Sequence, residues 1–262
     1  MVYWIIVLFG GLGWSTSWAE GFDYSRYDRV LKSYVTEDGL VRYADLKKNA
    51  GDLNAFIAQI TTVGPETKPE MFPTKADSLS YWINVYNAIV VHGIIAAYPV
   101  ASVKDIALFY GFFKRNTFLV DGQKRTLDNI EHDILRPIFK DPRIHAAINC
   151  AAISCPNLQN RAFLPATLDA QLDAAMKKMI QSPKHVRLDQ KNNRVFLSKI
   201  FDWFGTDFTH WYDQTHGVQG ATLTAYLSLY LSEADRQYLK QHRQIQVEFN
   251  DYDWSLNQVK PE

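Results

Sequence analysis

The clearest pattern in the chain is a run from Tyr81 to Ala97 without a single Asp, Glu, Lys or Arg, preceded by Asp77 and Ser78 and followed by Pro99. It predicts a helix over 77–98 that is buried nearly all round, capped by Asp77 or Ser78, because a surface helix would keep a polar stripe. Asn84, Asn87 and His92 interrupt the run, so it reads as a core helix and not as a membrane span. Helical spacing recurs over 27–34, 46–60, 127–136, 168–180, 199–208, 223–231 and 233–242. Thr126 and Ser198 stand where N-caps belong, and Pro137 is expected to end the 127–136 helix.

Strand signals are fewer. Residues 118–120 and 123–125 flank Asp121-Gly122, and 186–188 and 195–197 flank Lys191-Asn192-Asn193, so both pairs read as hairpins. Residues 40–43, after the turn pair Asp38-Gly39, read as a short strand, and 245–249 as a last one. The apolar segment 144–150 reads as a buried strand, with Ile144, Ala146 and Ile148 on one face and His145, Ala147 and Asn149 on the other. Gly64-Pro65, Pro69 and Pro73 mark a loop over 64–75. There is no repeat and no splitting linker. The fold class expected is α+β: a helix-rich single domain, residues 20–262, with a small, mostly antiparallel sheet.

Residues 1–19 carry no Asp, Glu, Lys or Arg, and the apolar run Val2–Trp14 ends in Ser17-Trp18-Ala19. This reads as a signal peptide cut after Ala19, although the only positive charge ahead of the run is the terminal amine. The expected location is therefore periplasmic or secreted, with no integral membrane span in the mature chain.

Composition narrows the function classes. In 262 residues, 28 basic side chains balance 28 acidic ones, which argues against a nucleic-acid partner held by a basic field. Gly-x-Ser-x-Gly, a phosphate-binding Gly-rich loop and His-Glu-x-x-His are all missing. No cofactor is implied.

Three segments carry candidate chemistry. In the first, both cysteines, Cys150 and Cys155, follow His145 closely. A thiol beside an imidazole suits a nucleophile and its base. Two cysteines this near in an exported chain equally suit a disulfide. In the second, Leu127, Ile130, Ile134 and Leu135 form the core stripe of a helix, and Glu131 falls about 40° from Leu127, inside that stripe. A carboxyl group there needs a partner or a raised pKa; His132 stands beside it. Asp128 and His132, one turn apart, are a weak metal pair, and no metal is assigned. In the third, Tyr81, Asn84 and Asn87 share about 120° of helix arc. Their amides fix neighbouring loops or hold a polar ligand. The tail 250–257, with Trp254, reads as a wrap around the domain with the indole as a plug.

Tyr81–Ala88, Leu127–Arg136, Ile144–Pro156 and Ser198–Phe204, in that order, together with the ending Tyr252–Asn257, resemble the DUF547 family, a domain of unknown function. The resemblance runs from about residue 70 to 257. Phe204 stands where the family commonly has Tyr, and Ala147 near a usual small residue. The resemblance implies that the Asn-rich helix, the Glu-His helix and the His/Cys segment belong to one unit, and it implies no reaction.

Two functions fit. In the first, the protein is a thiol-dependent hydrolase or acyl transferase acting on an amide or ester of the cell envelope. Cys150 is the nucleophile, Cys155 the second choice, and His145 or His132 the base. Glu131 orients the imidazole, and Asn84 or Asn87 holds substrate or oxyanion. In the second, it is a non-catalytic module with a structural Cys150–Cys155 disulfide. The ligand class in either case is a small molecule, peptide or glycan. A weaker third option is a metal held by His132, His145 and a cysteine.

Overall fold

The computed structural model describes residues 21–107 and 110–260; the expected signal peptide lies outside them. Three short helices, α1 (Ser25–Tyr34), α2 (Tyr43–Lys48) and α3 (Gly51–Ile60), lead into α4 (Lys75–Ala97). The single helix expected over 46–60 is broken at Asn49-Ala50, where Asn49 and Gly51 favour a turn over helix continuation. Helix α4 begins earlier than its apolar run suggests. Thr74 is its N-cap, accepting from the Asp77 amide, and the Asp77 carboxylate accepts from the Thr74 amide in return. The apolar stretch of α4 is the centre of the main core; α2 and α3 pack against α4, and α1 packs against α3 and α2. At Gly93 any side chain would collide with the Phe112 ring, so the next short helix, α5 (Gly111–Lys114), sits directly against α4.

β1 (Phe118–Val120) and β2 (Gln123–Arg125) form the expected hairpin, with Val120 opposite Gln123. Asp121 and Gly122 take φ of 51° and 74°, the left-handed pair that a two-residue hairpin turn demands. Thr126 then caps α6 (Leu127–Asn129) with Asn129 as its reciprocal partner. The helix does not stop at Pro137. It continues as a π-wound segment, Ile130–Phe139, with Pro137 inside it, and Leu127, Ile130, Ile134 and Leu135 are buried as the periodicity requires.

The segment expected to be a strand over 144–150 is instead a helical turn, α7 (Ile144–Ala147), followed by a loop. Residues 144–149 are buried on every side. A short apolar run with no wet face has no period from which strand and helix can be told apart. Likewise 40–43 forms no strand, only isolated bridges from Val41 to Val35 and to Gln258.

The C-terminal half builds a second core from α8 (Leu168–Gln181), β3 (Val186–Asp189), β4 (Arg194–Leu197), α9 (Lys199–Trp203), α10 (Gly205–His216) and α11 (Leu223–Leu227). The helix expected over 199–208 is interrupted between Trp203 and Gly205. After α12 (Glu233–Gln241), β5 (Gln246–Phe249) adds to β4 in parallel, while β3 and β4 are antiparallel. The result is a helix-rich α+β fold with one two-stranded and one three-stranded sheet. The tail after β5 returns across the main core. Leu256 donates to Ala101, Asn257 to Ala151 and Val259 to Val41 through backbone amides of 2.9–3.0 Å.

Candidate functional site

The tail and the loop after α7 meet at one cavity of about 350 Å³, where α4, α5, α6, α7, α9 and the tail converge. Glu131, His132, His145, Cys150 and Cys155 all line it, with Trp203, Phe204, Tyr252 and Trp254 as an aromatic wall.

The loop that carries the cysteines is held from beneath by Asn87. Its Nδ2 donates to the Ala147 carbonyl (2.8 Å), and its Oδ1 accepts from the Asn149 amide (2.8 Å). Asn149 then closes the turn, donating to the Pro156 carbonyl (2.7 Å) and accepting from the Ala151 amide (2.8 Å). Asn84 does similar work elsewhere, exchanging hydrogen bonds of 2.7 and 3.0 Å with the Phe163 backbone. Both amides are buried, each bonded to backbone through Nδ2 and through Oδ1, and absent from the cavity lining. The structure thus places the two expected substrate-binding residues behind the site, as supports for its loops.

Cys150 and Cys155 are joined in a disulfide. Cys155 is buried, while Cys150 is half-buried on the cavity side. The Tyr252 hydroxyl lies 3.2 Å from Cys150 Sγ; a disulfide sulfur has no proton, so the phenol donates. Burial, assisted by the nearby Glu131 charge, pushes the Tyr252 phenol well above its ordinary pKa, which keeps that donor in place. Among the described residues no group of three His, Cys, Asp or Glu side chains is arranged to hold a metal.

His145 lines the same cavity as Cys150 and is buried. Its Nε2 is 2.8 Å from Asp207 Oδ2 on α10. Asp207 also receives a two-pronged bond from Arg136, Nε to Oδ2 at 2.7 Å and Nη2 to Oδ1 at 2.9 Å. Burial alone would raise the Asp207 pKa, but the bonds from His145 and Arg136 outweigh it and hold the carboxyl well below the usual range. An ionised Asp207 only accepts, so His145 carries its proton on Nε2. Its Nδ1 has no protein hydrogen-bond partner among the described residues. Burial lowers the His145 pKa, with Asp207 pulling in the opposite direction, so the ring is neutral near pH 7 and its free nitrogen can accept a proton. Phe204 stacks on the imidazole (4.3 Å between ring centres, 19°) and lies under the Arg136 guanidinium at 4.8 Å.

Glu131 does not orient the imidazole. Its partner is Tyr86, whose hydroxyl donates to Oε2 at 3.2 Å. Protein surrounds the carboxyl on most sides, although the cavity lets solvent reach it. Burial raises its pKa from 4.5 to about 7, against the pull of the Tyr86 bond and Arg136. His132 accepts at Nδ1 from Arg136 Nη1 (2.9 Å). Burial lowers its pKa, and Arg136 reinforces this while Asp128 opposes it. With Nδ1 already occupied, His132 is a poorer base than His145.

The orienting carboxylate is therefore Asp207, which inspection of the sequence misses. It lies just past the Ser198–Phe204 motif, and no local pattern marks it. The only hint is Arg136, a cation on a helix of otherwise assigned residues, with no acidic neighbour in sequence placed to take its full fork.

Residues 71–180 match the family described as a protein of unknown function, DUF547. This stretch belongs to the DUF547 family. The DUF547 segment contains α4, α6, α7 and both cysteines, whereas Asp207, Trp203 and the tail lie beyond it. The Glu-His helix and the His/Cys loop meet at one cavity, with the Asn-rich helix supporting them from behind. No curated protein and no solved structure matches the chain.

Proposed function

We propose that the cavity is the reaction centre of an acyl-transfer enzyme of the cell envelope, a hydrolase or transferase acting on an amide or ester, with Cys150 as its nucleophile. The observation that carries this reading is the 2.8 Å bond between His145 and Asp207, which fixes the imidazole of a residue that lines the same cavity as Cys150 and leaves its other nitrogen unspent. Nucleophile, base and orienting acid then follow the logic of a Cys-His-Asp triad.

The disulfide is the latent form. A dithiol reductant delivers two electrons and two protons to the Cys150–Cys155 bond and leaves as its own disulfide. The Cys150 thiol proton then passes to His145 Nδ1 as sulfur bonds to the acyl carbon. The carbonyl electron pair moves to oxygen, where Glu131 in its protonated form offers an O–H donor. The tetrahedral species collapses, the leaving amine or alcohol takes the proton from His145, and a thioester on Cys150 remains. Water or an acceptor amine, giving its proton to His145, attacks that thioester and restores the thiol.

Asp207 is a positioning residue, and Tyr252 stabilises thiolate by donating to sulfur. The oxidised pair suits an oxidising compartment, which supports an exported chain. The same disulfide favours the second reading, a binding module in which the bridge is structural.

Iodoacetamide labelling separates the two. The protein as isolated is expected to resist the reagent. After mild dithiothreitol treatment without denaturant, Cys150 is expected to react with an apparent thiol pKa below the ordinary value of about 8.5. His145→Ala should return that pKa to the ordinary value or higher. If the pair stays unreduced until the protein unfolds, or if His145→Ala leaves the profile unmoved, the acyl-transfer reading is wrong and the structural bridge is favoured.

A further inference from the structure

The aromatic wall of the cavity is only partly used by the chemistry above. Trp203, at the end of α9, leaves 45% of its surface exposed. Its ring lies 4.9 Å from that of Tyr252 and 6.1 Å from that of Trp254, nearly parallel to the latter at 28°. Lys104 places its ammonium 4.7 Å over the Trp254 ring, so that indole already has a partner. Trp203 stands as an open aromatic face at the edge of the cavity. Covering such a face is favourable for any ligand with a flat apolar side.

The opposite wall is of another kind. Asp128, Glu131 and His132 project into the cavity from one helix, α6 and its π-wound continuation. They offer hydrogen bonds more than net charge. Lys114 is the one Lys or Arg among the described lining residues, and it lies 4.0 Å from Asp128. Arg136 is committed to Asp207. Among the lining residues a phosphate or carboxylate ligand would meet no cation without a carboxylate partner; Lys104 stands outside that lining, with its ammonium over the Trp254 ring. A peptide added as a strand along the cysteine loop is also excluded, because the tail already occupies that edge. Ile153 donates to Ser255 and Ser154 to Asp253 through their backbones, at 2.8 and 3.1 Å.

What remains is a neutral ring with C–H faces and polar edges. We propose that Trp203, with Tyr252 and Trp254, forms a stacking subsite for an uncharged pyranose, so that the acyl group acted on is carried by a glycan. This rests on the acyl-transfer reading of the same cavity.

The test uses the disulfide-bonded protein as isolated, since sugar binding needs no thiol. The probe is the β-1,4-linked tetramer of N-acetylglucosamine, neutral and amide-bearing, followed by isothermal titration and tryptophan fluorescence. Saturable binding with a changed indole emission is expected, weakened by about tenfold or more in Trp203→Ala. Trp203 is exposed and at a helix end, and an unchanged melting temperature checks that the variant is folded. No saturable binding, equal binding by Trp203→Ala, or equal competition by N-acetyl-trialanine amide would overturn the glycan subsite. If the tetramer binds through Trp203 but reduced Cys150 proves inert, the acyl-transfer reading fails and a glycan-binding wall stands. If Cys150 is acylated and no sugar binds, the glycan assignment alone fails.

Discussion

Asp207→Asn is expected to slow acylation of the reduced protein by about 10³–10⁴-fold. The carboxylate accepts from His145 Nε2 at 2.8 Å and thereby fixes the imidazole tautomer. An amide in its place can donate as well as accept. It permits the tautomer with the proton on Nδ1, the nitrogen required as base. Arg136 also loses the ionised end of its two-pronged bond, so some loss of stability is expected. The pH profile tells the two effects apart. The Asp207 charge raises the His145 pKa, so its removal should move the acid limb of the acylation profile to lower pH. A lowered melting temperature with an unmoved limb would mean that Asp207 acts on structure alone.

Glu131→Gln is expected to stabilise the protein at alkaline pH and to leave it nearly unchanged in acid. The folded carboxyl has its pKa raised from 4.5 to about 7. Between those values the folded state binds more protons than the unfolded one, so stability falls as pH rises through the window and stays lower above it. At about 1.4 kcal/mol for each pH unit, that shift from 4.5 to about 7 sets a ceiling of about 3 kcal/mol. Water in the cavity screens part of this, leaving about 1–2 kcal/mol as the expected gain. Glutamine keeps an acceptor for the Tyr86 hydroxyl. Thermal unfolding at about pH 5 and about pH 8 measures the effect. Equal melting differences at both values would show that Glu131 is ionised throughout, removing it as an O–H donor in the cavity.

Much of the frame was legible in the chain because local rules and tertiary packing agree there. The Asp121-Gly122 hairpin, the Thr126 cap and the stripe Leu127, Ile130, Ile134 and Leu135 each follow from turn chemistry or period alone. The segment 144–149 ahead of Cys150 was misread because it is wholly buried. Because His145 and Asn149 are buried along with their apolar neighbours, no solvent-facing side distinguishes helix from strand, and α7 is settled by packing against α8. The site was half legible. Glu131, His132, His145 and Cys150 were identifiable as reactive types on buried elements, and they do line one cavity. Asn84 and Asn87 looked like ligand groups for the reason that they are supports: amides in a core helix must find partners, and backbone carbonyls supply them. Asp207 was invisible, since its meaning lies in a contact across 62 residues of sequence.

The central claim is that Cys150, once reduced, takes an acyl group with His145 as its base. The most direct measurement is the intact mass of the reduced protein after exposure to p-nitrophenyl acetate, with the modified residue located by peptide mapping. A single acetyl group on Cys150 is predicted, lost on standing in water or on adding an amine, and absent from both the disulfide form and Cys150→Ala. An acetyl group that persists in Cys150→Ala, or a reduced wild-type protein that acquires none, would contradict it.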